Sequence, residues 1–383
     1  MNKKIVLLLT LAIILFYLFK TTTFFTEPVE TNNSVTTPDS FSNPPLLLDK
    51  KVTPENSNNA PSLTEASETA QAQEYIVSCP EFDFSESEEQ RAETERKFDE
   101  FNQYLKASEK PMEKLAYYLF ENEKDTGVAF DKLYQFNQEN PNNKLAYDQL
   151  LKLCFNENNI DKCDDDLFNR AQLADKENGT FWLNIAALKL KKNDIDGVFD
   201  ALHEIEKAAN MDEYFFELAD FYEQTSRDIL DLSYKQRLVA GIGYAAAKPW
   251  FISEIMSWCH DNNTNDQQVA QACLTLGTNL EQKSKQLLSK SLGIALQKNY
   301  FEAKDNQQAL AELEKKLKKI ERRFQDKQFE KIDRLIMHDD DLAKLWISSA
   351  LTYGEENGIK YVVEEAIWRS RDPNYNPCPI LPE

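Results

Sequence analysis

Apolar residues three and four positions apart recur along most of the chain beyond residue 79. This spacing places them on one face of an α-helix, so the pattern predicts an all-α fold. Four segments begin with similar apolar runs and continue into a polar turn and a second amphipathic stretch; they start at Leu115, Leu145, Phe181 and Tyr214. Offsets of about 30 to 37 residues between such segments predict helical hairpins that repeat along the chain.

The clearest of these hairpins covers residues 182–208. Trp182, Ile185 and Ala186 form a large, large, small triplet in its first helix, and Asp194 lies where it would cap the second helix. The same triplet returns 33 residues later, beginning at Phe215. With these features the segment resembles a tetratricopeptide repeat, which implies a solenoid of stacked helix pairs.

The resemblance covers about residues 112–225 and includes departures from the family pattern. Lys189 occupies the usual tyrosine position, and Val198 and Ile205 replace small alanines. The resemblance implies a concave surface that binds peptides or protein partners, although no ligand-clamping residue of that family can be carried over. The candidate partner-binding residues, for each of which core packing is the alternative role, are Tyr147, Phe181, Trp182 and Phe215.

Beyond residue 228 the pattern predicts longer helices. Residues 266–298 have the pattern of one continuous helix, and residues 307–331 have that of a charged amphipathic helix. The second pattern is typical of a solvated arm or a coiled coil, and it leaves open homo-oligomerisation through 307–331 or binding to acidic surfaces. Two last helices are expected at 341–353 and 359–370, with four residues in the core: Trp346, Val362, Ala366 and Trp368.

The N-terminus contains an apolar run at residues 5–19 that follows Lys3 and Lys4. This run predicts an uncleaved signal anchor, a transmembrane segment within residues 1–25, with a cleaved signal peptide as the alternative. The two lysines place the N-terminus inside. We therefore expect a single pass through the inner (cytoplasmic) membrane, with the rest of the chain in the periplasm or an equivalent extracytoplasmic space.

Residues 26–78 contain six prolines and many serines, threonines and asparagines, which predicts a disordered tether. Together with the helical patterns, the tether divides the chain into five parts. These are the anchor at 1–25, the tether at 26–78, tetratricopeptide-like repeats at 79–228, a C-terminal helical region at 229–372 and a proline-rich tail at 373–383.

All six cysteines lie beyond residue 78. Behind an export signal, an even number of cysteines predicts a disulfide framework. The spacing favours two bridges across predicted helix–helix turns and, by elimination, a third between the two ends of the folded region: Cys154–Cys163, Cys259–Cys273 and Cys79–Cys378.

Composition excludes several functions. A net charge of −21 argues against binding to nucleic acid, because a binder must neutralise phosphates with a basic face. No Cys-x-x-Cys motif or calcium loop is present, so no metal or other cofactor is predicted. Neither a nucleophile elbow nor a phosphate-binding glycine loop accompanies His203, His260 and His338, so no catalytic residue is assigned.

Taken together, these patterns predict a membrane-tethered helical protein that acts as a protein- or peptide-binding adaptor or scaffold and is not an enzyme. One alternative is a cell-envelope enzyme that acts on cell-wall polymer, with one glutamate as its acid. The other is a purely structural subunit of an envelope assembly. An enzyme requires a deep pocket with a desolvated carboxylate, whereas a binding module requires a concave face without buried acids.

Overall fold

The computed structural model describes residues 76–80, 87–120, 126–248, 251–325 and 327–378, and these residues form an all-α protein without β-strands. The sixteen α-helices of this part of the chain are α1 (Glu88–Ala107), α2 (Pro111–Phe120), α3 (Thr126–Glu139), α4 (Lys144–Leu153), α5 (Asp165–Ala174), α6 (Gly179–Lys191), α7 (Ile195–Lys207), α8 (Phe215–Ser226), α9 (Tyr234–Ala246), α10 (Ile252–Asn262), α11 (Gln267–Lys283), α12 (Leu287–Ala303), α13 (Gln307–Gln325), α14 (Lys327–Ile336), α15 (Asp340–Tyr353) and α16 (Glu355–Arg369).

Side-chain caps define where several helices begin. Ser87 and Ser233 each form a capping box with the glutamine three residues later, which satisfies two backbone N–H groups at the start of α1 and α9. Asp194 caps α7 by accepting a hydrogen bond from the Gly197 N–H, as the sequence predicts. Asp339 caps α15 in the same way, through the N–H groups of Asp341 and Leu342. Each such cap contributes about 1 kcal/mol to the stability of the protein.

Consecutive helices pack in pairs across short loops. The most extensive pairings are α6 with α7, α8 with α9, α11 with α12 and α15 with α16. The α11–α12 pair approaches closely at Gly277 and Gly293, where a Cβ atom added to Gly293 would lie 2.5 Å from the Gly277 carbonyl oxygen. Only a residue without a side chain permits this approach.

The largest apolar core extends from Phe101 in α1 to Leu296 in α12, and it continues across residue 228. A smaller cluster joins the segment before α1, through Ile76 and Cys79, to Ile332, Leu335, Val362 and other residues of α14–α16. Each fully buried large apolar side chain contributes roughly 1.5–3 kcal/mol. Several helix pairs therefore contribute buried apolar side chains to the core.

The expectation of one continuous helix over residues 266–298 is wrong, because the chain breaks at residues 284–286 between α11 and α12. Backbone pairing with another loop accounts for the break. The Met211 N–H donates to the Lys283 carbonyl at 3.0 Å, and the Lys285 N–H donates to the Met211 carbonyl at 3.0 Å. These bonds use backbone groups that a continuous helix would have needed for itself.

Two further expectations for the C-terminal region need correction. Trp368 was expected in the core but is 66% exposed, whereas Val362 and Ala366 are fully buried as predicted. The charged amphipathic pattern at 307–331 corresponds to two helices, α13 and α14. Leu313 of α13 is buried, and Lys298 and Lys316 form ion pairs that link α13 to α12 and α11, so this chain itself covers part of the apolar side of α13.

The structure pairs all six cysteines as disulfides in the predicted combinations: Cys154–Cys163, Cys259–Cys273 and Cys79–Cys378. The first two join neighbouring helices across their connecting turns. The third joins the segment before α1 to the tail after α16, 299 positions away along the chain. A hydrogen bond from the Val77 N–H to the Ser370 hydroxyl, 3.0 Å long, holds the same two segments together.

In the described part of the chain, no helix combines the length and the apolar character that crossing a membrane requires. The predicted anchor at 1–25 and residues 26–75 of the predicted tether lie outside the described residues. Both remain predictions from the sequence.

Candidate functional site

Helix α7 lies between two shallow, open depressions of the surface. Its apolar positions Val198, Ala201, Leu202 and Ile205 are buried, and α7 packs against α6 and α11. The opposite positions, three and four residues apart, carry Asp200, His203, Glu204 and Glu206, which stay at the surface. One side of the helix therefore builds the fold, and the other presents polar groups.

A depression lies on each side of this polar face. The first, of about 450 Å³, lies toward α5 and α6 and is lined by Gln172, Trp182, Asp200, His203 and Glu204. The second, of about 590 Å³, lies toward α11, and the residues that line it are Phe199, Leu202, His203, Glu206, Gln267, Gln268, Gln271, Ala272 and Thr275. His203 lines both depressions, so we treat them together as the α7 groove.

The two halves of the α7 groove differ in chemistry. The first half combines the partly exposed indole of Trp182 with the exposed carboxylate of Asp200. The second half exposes more apolar than polar surface, with Phe199 and Leu202 beneath a rim of glutamine amides. The groove is open to solvent along its length, a shape that suits an extended segment of a polymer better than an enclosed small molecule.

The acids of the groove are differently paired. Glu204 forms an ion pair with Lys207 at 2.6 Å, and Glu206 Oε1 lies 3.9 Å from His203 Nδ1. Asp200 has no ion-pair or hydrogen-bond partner among the described residues. Asp200 therefore offers the first half of the groove a carboxylate that is not engaged within the chain.

The four predicted partner-binding residues occupy different places. Tyr147 and Phe181 are completely buried, so their role is packing of the core. Phe215 is half-buried and meets Phe216 edge to face, with ring centroids 5.2 Å apart. Trp182 lines the α7 groove and also packs against the main core with its buried portion.

The sequence did not identify the other lining residues. His203 was interpreted as an ordinary residue, and Asp200 was one acid among 65 acidic side chains. The α11 residues Gln267 and Gln271 lie 60 or more positions from α7, so local periodicity could not bring them to the groove. The local signal was Trp182 itself, which the tetratricopeptide-like pattern makes a candidate for either partner binding or core packing.

A second polar region lies between the loop that precedes α8 and the loop that precedes α12. We call it the loop seam, and it consists of Asp212, Glu213, Glu217, Lys285 and Ser289. The Lys285 ammonium lies 2.6 Å from Asp212 Oδ2 and 3.9 Å from Glu217 Oε1. The Ser289 hydroxyl donates a hydrogen bond to Glu213 Oε1, while Glu213 Oε2 is buried and has no hydrogen-bond partner among the described residues.

Burial perturbs the two glutamates of the loop seam. It raises the pKa of Glu213 to about 8, against which the Ser289 hydrogen bond acts. Burial also raises the pKa of Glu217 to about 7, and the adjacent Asp212 carboxylate adds to the increase. These are the desolvated carboxylates that an enzyme would need.

Tyr214 shows how the seam is held in place. It adopts a left-handed backbone conformation with φ of 58°, which is strained for a residue with a side chain. Its N–H donates to Asp212 Oδ1 at 2.9 Å, and its hydroxyl donates to Asp175 Oδ2 at 2.8 Å. The Asn178 side chain donates to the Asp212 carbonyl and accepts from the Asp212 N–H. These hydrogen bonds hold the backbone of Asp212 and Tyr214 in the conformation from which α8 begins.

A third charged group lies in the interior near α4. Asp148 and Lys152 form a buried ion pair at 2.7 Å, and the second Asp148 oxygen has no hydrogen-bond partner in the described part of the chain. The Lys248 ammonium donates to the Leu119 carbonyl, and burial together with the positive charge of Lys152 lowers its pKa to about 7. Burial raises the pKa of the Asp148 carboxyl. Asp148 and Lys152 therefore pair inside the fold, and Lys248 contacts a backbone carbonyl there.

None of these perturbed groups lines the α7 groove. Within the described ranges, no three histidine, cysteine or acidic side chains are arranged to hold a metal ion. The desolvated carboxylates of the loop seam thus lie apart from the α7 groove, and the groove itself carries groups suited to binding.

Comparison of the chain with protein-family models, with curated proteins and with solved structures gives no match.

Proposed function

We propose that this protein is a peptide- or protein-binding scaffold of an oxidising, extracytoplasmic compartment, and that the α7 groove is its binding surface. Its N-terminal apolar run serves as a membrane anchor, and the tether holds the helical region at a distance from the bilayer. The helix pairs act as a tetratricopeptide-like array that presents the groove. The protein thereby positions a partner close to the membrane.

One observation carries this proposal. The α7 groove combines the partly exposed indole of Trp182, an uncommitted carboxylate at Asp200 and a row of glutamine amides, of which Gln271 is one. Aromatic rings supply contact area, and amides supply hydrogen bonds to a peptide backbone. Such a combination is typical of surfaces that recognise chain segments.

The disulfides support the proposed compartment. Disulfides persist in secreted and envelope proteins and are rare in the reducing cytosol. All six cysteines of this chain pair with one another, including Cys79 and Cys378 at the two ends of the described region. The same observation favours export of the helical region, in agreement with the apolar run at 5–19.

The enzyme alternative is less well supported by the geometry. Glu213 and Glu217 have raised pKa values, but they lie in the loop seam, where they contact Ser289 and Lys285. A glycosidase would place its two carboxylates on either side of a cleft that admits the sugar chain. Neither of the two best-formed depressions includes them.

Site-specific photo-crosslinking in native cells tests the proposal. Benzoylphenylalanine replaces Gln271 in the groove and, as a matched control, replaces Tyr104 of α1, which is 41% exposed and does not line the groove. We expect one reproducible crosslinked protein from position 271 and none from position 104. The product should disappear when Trp182→Leu is combined with the probe at 271. Equal products from both positions, or none from 271, would refute the proposal.

A further inference from the structure

We infer that the α7 groove selects a cationic chain segment, with an arginine side chain inserted between Trp182 and Asp200. This inference rests on the proposed function, since it identifies the ligand class of the same groove. It commits to one occupant, an extended peptide segment that carries an arginine next to an apolar residue. Three features of the groove lead to it.

The first feature is the position of Trp182. Most residues of α6 are buried on all sides, and residues 183–188 are all inside the protein. Trp182 alone among residues 179–188 is partly exposed, and its exposed surface faces the first depression beside Asp200. A tryptophan face attracts a cation placed within about 6 Å of its centre.

The second feature is the charge of α7. Asp196, Asp200 and Glu204 follow each other at intervals of four residues, and like charges at this spacing destabilise a helix slightly. Glu204 and Glu206 also lie in the C-terminal half of α7, where the helix dipole disfavours acids. Lys207 offsets Glu204, but nothing in the described residues offsets Asp200. A ligand cation beside Asp200 would relieve this unfavourable arrangement.

The third feature is the combination of chemical groups in the two halves of the groove. A planar guanidinium can stack on an indole and simultaneously pair with a carboxylate, which a compact ammonium does less well. The apolar floor formed by Phe199 and Leu202 in the second half can hold a neighbouring apolar side chain. Gln267 and Gln271 on the rim can bond to the backbone that connects the two. The acidic chain as a whole would draw such a basic segment toward it.

Selection from a random peptide library tests this inference without assuming a sequence. The full-length oxidised protein is panned against a phage-displayed dodecapeptide library. We expect the recovered peptides to be enriched in arginine over the unselected library. Enriched peptides are then synthesised with arginine and with citrulline, its neutral isostere, and their dissociation constants are measured by fluorescence anisotropy.

We expect citrulline to weaken binding about tenfold, through loss of the cation–aromatic contact and the ion pair. Asp200→Asn should weaken binding of the arginine peptide by a similar factor and leave the citrulline peptide unchanged. Asp196→Asn removes the same charge from α7 outside the groove and should change neither. Asp200 is exposed, so its replacement leaves the fold intact.

The outcomes separate the inference from the proposed function. Enrichment of peptides without arginine, whose binding is nevertheless lost in Trp182→Leu, would overturn the arginine assignment while the groove remained the binding surface. No enrichment, or peptides that bind Trp182→Leu as well as the unaltered protein, would overturn the proposed function too. Circular dichroism of Trp182→Leu establishes that the variant is folded.

Discussion

Asp212 and Lys285 form an ion pair of 2.6 Å that joins the loop before α8 to the loop before α12. The backbone adds to this connection, because Met211 exchanges hydrogen bonds with Lys283 and Lys285. A further bond runs from the Glu355 N–H to the Lys285 carbonyl at 2.9 Å. The ion pair therefore lies where helix pairs distant in sequence are connected.

Removing the Asp212 carboxylate should destabilise the protein. Asp212→Ala removes the closer of the two carboxylates at Lys285 and leaves the Tyr214 N–H without its acceptor, so we expect the free energy of unfolding to fall by about 3 kcal/mol. Asp212→Asn retains an acceptor for the Tyr214 N–H and should lose less. Urea titration followed by circular dichroism measures the change. Asp196→Ala, at an exposed site, should change the free energy of unfolding by no more than about 0.5 kcal/mol. An equal loss of stability in Asp196→Ala and Asp212→Ala would contradict the role of Asp212 in joining the loops.

The stability of the protein should fall as the pH rises from about 5 to 7. Burial raises the pKa of Glu213 to about 8 and that of Glu217 to about 7, from an ordinary value of 4.5. The native state therefore binds more protons than the unfolded chain in this window, and the free energy of unfolding decreases as they dissociate. For the two carboxyls together the expected decrease is on the order of 4 kcal/mol, about 2 kcal/mol for each.

Urea titrations at pH 5.5 and pH 7.0 measure this decrease. Burial lowers the pKa of Lys248 to about 7, so this group makes the free energy of unfolding rise with pH above pH 7. The comparison therefore does not extend above pH 7. A Glu213→Gln, Glu217→Gln double variant should show a flatter dependence. Stability that is constant or that rises between the two pH values would show that these carboxyls are not desolvated as described.

The long disulfide should contribute more to stability than the shortest one. Cys79–Cys378 spans 299 positions and Cys154–Cys163 spans nine. In the chain-entropy model the long bridge is worth nearly 6 kcal/mol and a short one about 3 kcal/mol. Two variants, each with both cysteines of one bridge replaced by serine, are compared by urea titration to test which bridge contributes more stability. Loss of Cys79–Cys378 should also release the segment around Val77, which hydrogen exchange would detect. A lower urea midpoint for the variant without Cys154–Cys163 than for the variant without Cys79–Cys378 would contradict the prediction.

The two tryptophans of the last helix pair should respond differently to substitution. Trp346 packs edge to face against Phe216, with centroids 5.8 Å apart, so Trp346→Ala should cost about 3 kcal/mol. Trp368 is 66% exposed, so Trp368→Ala should change stability by less than about 1 kcal/mol. Thermal unfolding followed at 222 nm measures both. A large loss in Trp368→Ala would mean that a contact covers this ring.

Local features of the sequence determined much of this structure. The spacing of apolar residues predicts a helix because a helix buries one apolar face, and this holds for any neighbour against which the helix packs. Caps such as Asp194 and Asp339 could be read directly, since their hydrogen bonds reach only three residues ahead. The turn-spanning disulfides followed for the same reason, and the third pair followed by elimination once the count was even.

Only the tertiary structure decided what depends on distant parts of the chain. Residues 266–298 are locally compatible with one helix, and the break arises from pairing with Met211, which no local pattern encodes. Trp368 has the spacing of a core residue, but it is 66% exposed, because none of the described helices covers it. The α7 groove likewise brings Trp182 and Asp200 together with Gln271 of α11. Periodicity states which face of a helix is apolar, whereas the choice of neighbouring helix is set by packing of the whole chain.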